Sequence, residues 1–283
     1  MQTHQHHYSM HALCAALRIS RSGYYAWCAR DKLPCALNVA IECQFKQDKA
    51  RAGAPSIASA LQSAGFVCSA RTAGRRMQRL GLRVRYAKKY RRTTDSNHTN
   101  AVAPNHLDRE FIVSVPNRVW VSDITYLRTT QGWLYLAVFI DLFSRLVVGW
   151  QVSERIEAKL VTDALDAAML MRGKPKGVLI HSDRGSQYCS QAFVKRVAIY
   201  KAKQSMSRKG NCWDNAVAES FFATLKKEEI YGQALKPKTA VLVQVFEYIE
   251  CDYNRVRRHS SNGWLSPVQF EHNDHQHSEV KTV

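Results

Sequence analysis

The chain has no acidic residue between Asp48 and Asp95, and that stretch holds twelve lysines and arginines. Such a run can be simply a solvated face, but unopposed cations at this density repel one another unless a polyanion lies alongside, so contact with a phosphate backbone is expected. No CxxC pair and no matching histidine spacing occur among the eight cysteines. The cysteines therefore read as reduced thiols and not as a zinc site or a disulfide frame, in a chain too long to depend on staples. Long apolar runs are missing as well. The most apolar stretch, 134–150, contains Asp141 and Arg145 and falls short of the ~20 residues that span a bilayer, so it reads as two core strands. The first twenty residues lack the charged start and apolar run of a secretory signal, and neither export nor a membrane partner is expected. His4, His6, His7 and His11 read as a solvated terminus.

What is present is a 283-residue chain that is 46% hydrophobic and carries a net charge of +18, enough for two folded domains facing a polyanion. Residues 1–118 hold 19 of the basic residues against 6 acidic ones, so the charge is concentrated in the front of the chain. Apolar positions 10, 13, 14 and 17 have helical spacing, then a break over Ser20–Gly23 precedes a second short helix in a helix-turn-helix cadence. A second helical unit runs from 38 to 82, with turns at Gly53–Pro55 and Gly65 and a helix over 70–80. Residues 1–92 are read as an all-α, basic DNA-binding region. Its expected phosphate contacts are Arg71, Arg75, Arg76, Arg79, Arg83, Arg85, Lys88, Lys89, Arg91 and Arg92. Residues 93–117, polar and proline-marked, read as a linker, 118–272 as a second domain, and 273–283 as a flexible tail.

Beyond the linker the period changes from helical to alternating. Strands are expected over 118–127, 132–142 and 145–152 as an antiparallel meander. A helix over 157–171, a strand at 177–181, a helix at 190–200, a strand at 204–207 and helices over 214–231 and 239–253 follow. A three-strand meander followed by alternating helices and strands is the order of an α/β, ribonuclease-H-like fold, although other α/β arrangements share the pattern.

Three carboxylates stand out. Asp123 lies mid-strand on the face opposite Trp120, where burial is costly without a compensating charge. Asp183 ends a buried strand, and Glu219 sits on a helix among small and aromatic residues. Each has an ordinary alternative: a paired core acid, a turn residue, an exposed helix acid. Together, acids drawn from a strand, a strand end and a helix can converge on one or two hard cations and support phosphoryl transfer. Asp141 reads as a structural acid and Asp214 as a helix N-cap. Lys226, seven residues past Glu219, returns to the same helix face, and Arg184 can orient a phosphate or neutralise its neighbours.

Thirty-five residues separate Asp183 from Glu219. With the surrounding segments WVSDITYLRT, GWLYLAVFIDLFSR, HSDRGSQY, NCWDNAVAESFFATLKKE, YIECDYNRVRRHS and LSPVQFE, the chain closely resembles the DDE transposases of bacterial insertion sequences. The resemblance is to the second-reading-frame protein of the insertion-sequence-three family, whose core is related to retroviral integrases, and it covers most of residues 105–272. LRISRSGYYAW and SARTAGRRMQRLGL resemble the family's amino-terminal region. The resemblance implies an integrase-type catalytic core with Asp123, Asp183 and Glu219 as catalytic, metal-binding residues for two Mg²⁺ or Mn²⁺ ions. It implies Lys226 on the terminal phosphates, a homo-oligomer on double-stranded DNA at element ends and target, and a bacterial cytoplasmic, nucleoid-associated location. Family members are commonly made as a fusion to an upstream frame that carries a further DNA-binding segment, so the chain is expected to be fused to or paired with it. Ala52 and Ser56 depart from the family's YGAPRI, losing an aromatic and a cation, and a weaker DNA contact by that unit is expected. Two rival activities remain: a DNA-binding regulator with an idle core, and a nuclease that cuts without joining.

Overall fold

The computed structural model describes residues 6–29, 35–84, 102–208, 212–231 and 233–280 and divides into two compact units, Met1–Arg83 and Val84–Val283. Arg85, Lys88, Lys89, Arg91 and Arg92 lie outside the described residues.

The first unit contains α1 (Met10–Ala16), α2 (Arg21–Ala29), α3 (Ala36–Gln47), α4 (Ala54–Ser63) and α5 (Ala70–Arg79). The Ser20–Gly23 segment is not a break. Ser20 Oγ accepts the Gly23 N–H at 3.0 Å, so the serine caps α2, and the interruption falls earlier, over 17–20. Ser69 caps α5 in the same way. Ile41, Phe45, Ile57, Leu61, Ala73 and Met77 form the buried interior. With Ala73 and Met77 inward, helical spacing turns Arg71, Arg75 and Arg79 to solvent.

The second unit is built on a five-stranded sheet in the order β3-β2-β1-β4-β5, formed by β1 (Val119–Thr129), β2 (Gly132–Asp141), β3 (Val147–Ser153), β4 (Leu179–Ser182) and β5 (Lys203–Met206). β1, β2 and β3 pair antiparallel, while β4 and β5 join parallel to β1. α6 (Ala158–Met171) and α7 (Gln191–Ile199) cover one face with Trp120, Phe139 and Ile180. α8 (Ala216–Leu225) and α9 (Lys238–Phe246) cover the other with Val121, Leu127 and Leu136. Each continues into a π-helical turn, at Lys226–Ile230 and Glu247–Tyr253. Gly149 lets α6 approach β3, because a Cβ there would lie 2.5 Å from Ala168 N.

The described part of the expected linker does not behave as a free connector. Leu107 is buried in the core beside Phe111 and Val113, and the His106 N–H donates to Ser205 Oγ at 2.8 Å. This arm delivers an apolar side chain to the core and hydrogen-bonds β5 through His106 N–H and the Pro104 carbonyl, whatever its polar composition. α10 runs over Pro267–Val280, started by a reciprocal cap in which Ser266 Oγ accepts the Gln269 N–H and Gln269 Oε1 accepts the Ser266 N–H.

Candidate active site

Strand alternation puts Asp123 on the β1 face that carries Val121 and Leu127, the face packed by α8. The β1–β4 register runs Val119↔Leu179, Trp120↔Ile180, Val121↔His181. The pairing ends there: Asp123 lies two residues past Val121 on β1, and Asp183 two residues past His181, just beyond the end of β4. Asp123 Oδ1 accepts the Ile124 N–H at 2.8 Å, and Asp183 Oδ1 accepts the Gly185 N–H at 2.9 Å, so each carboxylate is braced by its own backbone. Both act on one phenol. Tyr188 is fully buried, its hydroxyl 2.8 Å from Ser122 Oγ, and its ionisation is strongly suppressed by burial and then by the charges of Asp123 and Asp183.

Glu219 occupies the first turn of α8. That helix is located by two residues at its head. Asn215 Nδ2 donates to the Ser122 carbonyl at 3.1 Å, next to Asp123 in sequence. Asp214, with no exposed side-chain surface, accepts from Arg208 Nε and Nη2 at 3.0 and 2.9 Å, Arg109 Nε at 3.0 Å and Asn105 Nδ2 at 3.2 Å. Asp214 is therefore not the N-cap; Asn215 holds that position, and Asp214 joins the arm, the segment after β5 and the start of α8. The Arg208 guanidinium beside it holds its carboxyl well below the usual carboxylate range, against the opposing effect of burial. The three sequence-selected acids are not a closed ligand shell, since among the described residues no group of three or more His, Cys, Asp or Glu stands close enough to hold a metal ion.

Lys226 begins the π-helical turn after α8 and is only 5% exposed. Burial pulls its ammonium down to about 8, while Asp123 pulls the other way. It is thus a buried cation within electrostatic reach of Asp123, not a side chain on an open face. Arg184 Nε donates to the Ser207 carbonyl at 2.7 Å and so fastens the β4 end to the β5 end. His181 does the same one layer deeper: Nδ1 lies 2.9 Å from Ser205 Oγ and Nε2 3.2 Å from Ser207 Oγ. Burial pulls its imidazole down to about 4, so it is neutral at pH 7. Asp141 takes N–H bonds from Asn117 and Phe143 and pairs with Arg172, a structural acid as expected.

Among the expected DNA contacts, Arg71, Arg75, Arg79 and Arg83 are exposed. Arg76 is engaged within its own unit, donating to Asn38 Oδ1 at 2.6 Å and Cys35 Sγ at 3.3 Å. Sequence reasoning passed over Ser122, Tyr188, His181 and Asn215. The clustering of Asp214 and Asn215 ahead of an apolar helix was a usable signal, but it reads as capping.

Asp214→Asn is expected to destabilise the second unit by roughly 3 kcal/mol, the low end for breaking a buried pair, because both arginines keep nearly half their side-chain surface in water. A carboxyl held low in the folded state contributes fully at neutral pH and loses that contribution as pH falls below the ordinary carboxylate range. Urea titrations of both proteins at pH 7 and pH 3 check this: the gap between them should shrink in acid.

A meander with two parallel strands added beside β1, helices on both faces and acids on β1, after β4 and on α8 define a ribonuclease-H-like integrase core. Residues 114–212 match the family model described as Integrase core domain, and 200–267 match a second model of that description. Transposase InsF for insertion sequence IS3A of Escherichia coli K12 is 42% identical over 278 residues, 96% of each chain. The uncharacterized 31 kDa protein of insertion element IS600 from Shigella sonnei is 38% identical over 269 residues, 93% of this chain and 99% of that one. An intasome of simian T-cell lymphotropic virus in complex with PP2A regulatory subunit B56 gamma aligns at 18% identity and TM-score 0.47, over 82% of this chain and 74% of its own. The chain belongs to the IS3 family of insertion-sequence transposases, DDE-type polynucleotidyl transferases. Among the described residues no helix is long and apolar enough to cross a membrane.

Proposed function

We propose that Asp123, Asp183 and Glu219 are the catalytic carboxylates with which this transposase cleaves DNA at the ends of its element and joins the freed 3′ end to a target. The observation that supports this reading is the parallel pairing of β4 beside β1, which ends two residues short of Asp123 and of Asp183, with α8 and its Glu219 packed on the same face of β1. The donors are all hard oxygens, which suits Mg²⁺ or Mn²⁺, and three carboxylates are enough for two such ions. A divalent cation bound there would offset charge on the scissile phosphate and on the attacking oxygen. The chain's own task is positional: braced carboxylates fix the place of reaction, and Lys226 supplies positive charge beside Asp123. The attacking oxygen comes from water or a DNA 3′ hydroxyl and the leaving group is the opposite phosphate ester oxygen, so no covalent protein intermediate is needed.

In this reading residues 1–92 grip duplex DNA through phosphates, with α5 presenting Arg71, Arg75 and Arg79, and 118–272 carry the chemistry. Several copies hold two element ends together, fused to or paired with an upstream-frame protein, on nucleoid DNA in the cytoplasm. The test is a strand-transfer assay with pre-cut element ends in Mg²⁺ or Mn²⁺, using the chain alone and fused to its upstream frame. Joining supports the proposal. DNA degradation without joining establishes a nuclease, and end binding without chemistry establishes a regulator. Lys226→Ala is expected to lower joining of pre-cut ends by more than it lowers nicking of non-specific DNA, and equal losses would remove the terminal phosphate from its role.

A further inference from the structure

Helix α8 must bring Glu219 to a strand that it contacts mainly through apolar side chains, Ala218, Phe221, Phe222 and Leu225. Apolar packing is non-directional and leaves a helix free to slide or roll by fractions of an ångström. Ligation of a hard cation by carboxylates from two different elements does not tolerate that freedom, least of all for Mg²⁺, which demands near-ideal octahedral geometry. A directional contact near the site is therefore required. Asn215 makes one: its amide donates to the carbonyl of Ser122, the residue before Asp123, while Glu219 lies one helical turn further along α8. The amide orientation is fixed, because a flipped Asn215 would turn its oxygen onto the Ser122 carbonyl.

We infer that Asn215 is a positioning residue that sets the separation of Asp123 and Glu219, and with it the geometry in which the carboxylates meet a divalent cation. Two observations reinforce the assignment. Asn215 is 2% exposed, and its Oδ1 is buried with no hydrogen-bond partner among the described residues, an acceptor left open where a purely structural asparagine would use both ends. Asn254 is the contrast: it takes the Val147 N–H on Oδ1 and gives Nδ2 to the Val147 carbonyl. Asp214, one residue earlier, is held by Arg208, Arg109 and Asn105, so the turn carrying Asn215 is fixed by contacts outside α8 as well.

The inference rests on the carboxylate assignment above, and the experiment separates the two. The full-length chain is titrated with Mn²⁺ by isothermal calorimetry without DNA, and strand transfer of pre-cut ends is then compared in Mg²⁺ and in Mn²⁺. Asn215→Ala, with Asn215→Ser as a milder second variant, is expected to weaken Mn²⁺ binding about tenfold and to lower joining at least tenfold more in Mg²⁺ than in Mn²⁺, the cation with looser geometric demands. Asn262→Ala is the matched control, since Asn262 is equally buried and gives Nδ2 to the Ser144 carbonyl through a 2.6 Å bond. It should lower Tm without changing Mn²⁺ affinity in the folded protein. If both Asn215 variants bind Mn²⁺ as the parent does, or lose activity equally in the two metals, Asn215 is only structural and the inference is wrong. If Asp123→Asn also leaves Mn²⁺ binding intact, the carboxylate assignment fails instead.

Discussion

Asp123→Asn, Asp183→Asn and Glu219→Gln are each expected to reduce cleavage and strand transfer by at least about a thousandfold, while DNA affinity and Tm stay near those of the parent. The magnitude follows from what is removed. In the proposed reading each substitution deletes one anionic oxygen from a site that holds hard cations against phosphate, and about 4 kcal/mol of lost transition-state stabilisation corresponds to a factor of a thousand. The small effect on folding follows from the surroundings. Asp123 and Asp183 are only partly buried and brace themselves on adjacent N–H groups, and an amide oxygen can accept the same bonds. Strand transfer on pre-cut ends, filter binding and thermal unfolding measured on the same preparations check the three statements together, and any of the three variants joining ends at near-parental rate would remove that residue from the site.

The second large effect concerns salt. If about six cations between Arg71 and Arg92 neutralise duplex phosphates, log affinity should fall against log salt with a slope near −5, and deletion of residues 1–92 should flatten it. The structure sharpens this. Arg71, Arg75 and Arg79 share the exposed face of α5, so changing all three to alanine should reduce the slope by about 2.7. Arg76→Ala should leave the slope almost unaltered, because that guanidinium is spent on Asn38 and Cys35, and should instead lower the stability of the helical unit. Fluorescence anisotropy with a labelled duplex across a salt series measures each slope. A triple variant that titrates like the parent would mean that the α5 face is merely solvated.

Much of this was legible in the sequence for definable reasons. The meander and the alternation of helices and strands could be read because the side-chain period changes from about 3.6 to 2 at Arg118, and each strand's buried face follows from it. The sheet order that sets the end of β4 beside β1 could not be read from periodicity, since it depends on pairing between strands far apart in the sequence. Ser20 looked like part of a break because a capping serine and a turn serine have the same composition. Asp214 looked like a cap because its partners Arg109 and Asn105 lie more than a hundred residues away, and no local pattern records them. The burial of Lys226 depends on the π-helical turn and on how closely the helix packs on β1, neither of which has a sequence period.

The docking of the arm on the core has a mechanical consequence. Tension transmitted along the chain from the helical unit toward the sheet reaches the segment Pro104–Arg109 before it reaches β1. There it is borne by the Leu107 side chain, by Ser205 and by the Asp214 carboxylate. Asp214 also immediately precedes Asn215, the N-cap of α8, so part of the load is taken by β5 and part arrives at the root of the helix that carries Glu219. A pull on this arm is thereby delivered first to the turn that starts α8, while Asp123, within β1, and Asp183, just past the end of β4, are held by the pairing of those two strands.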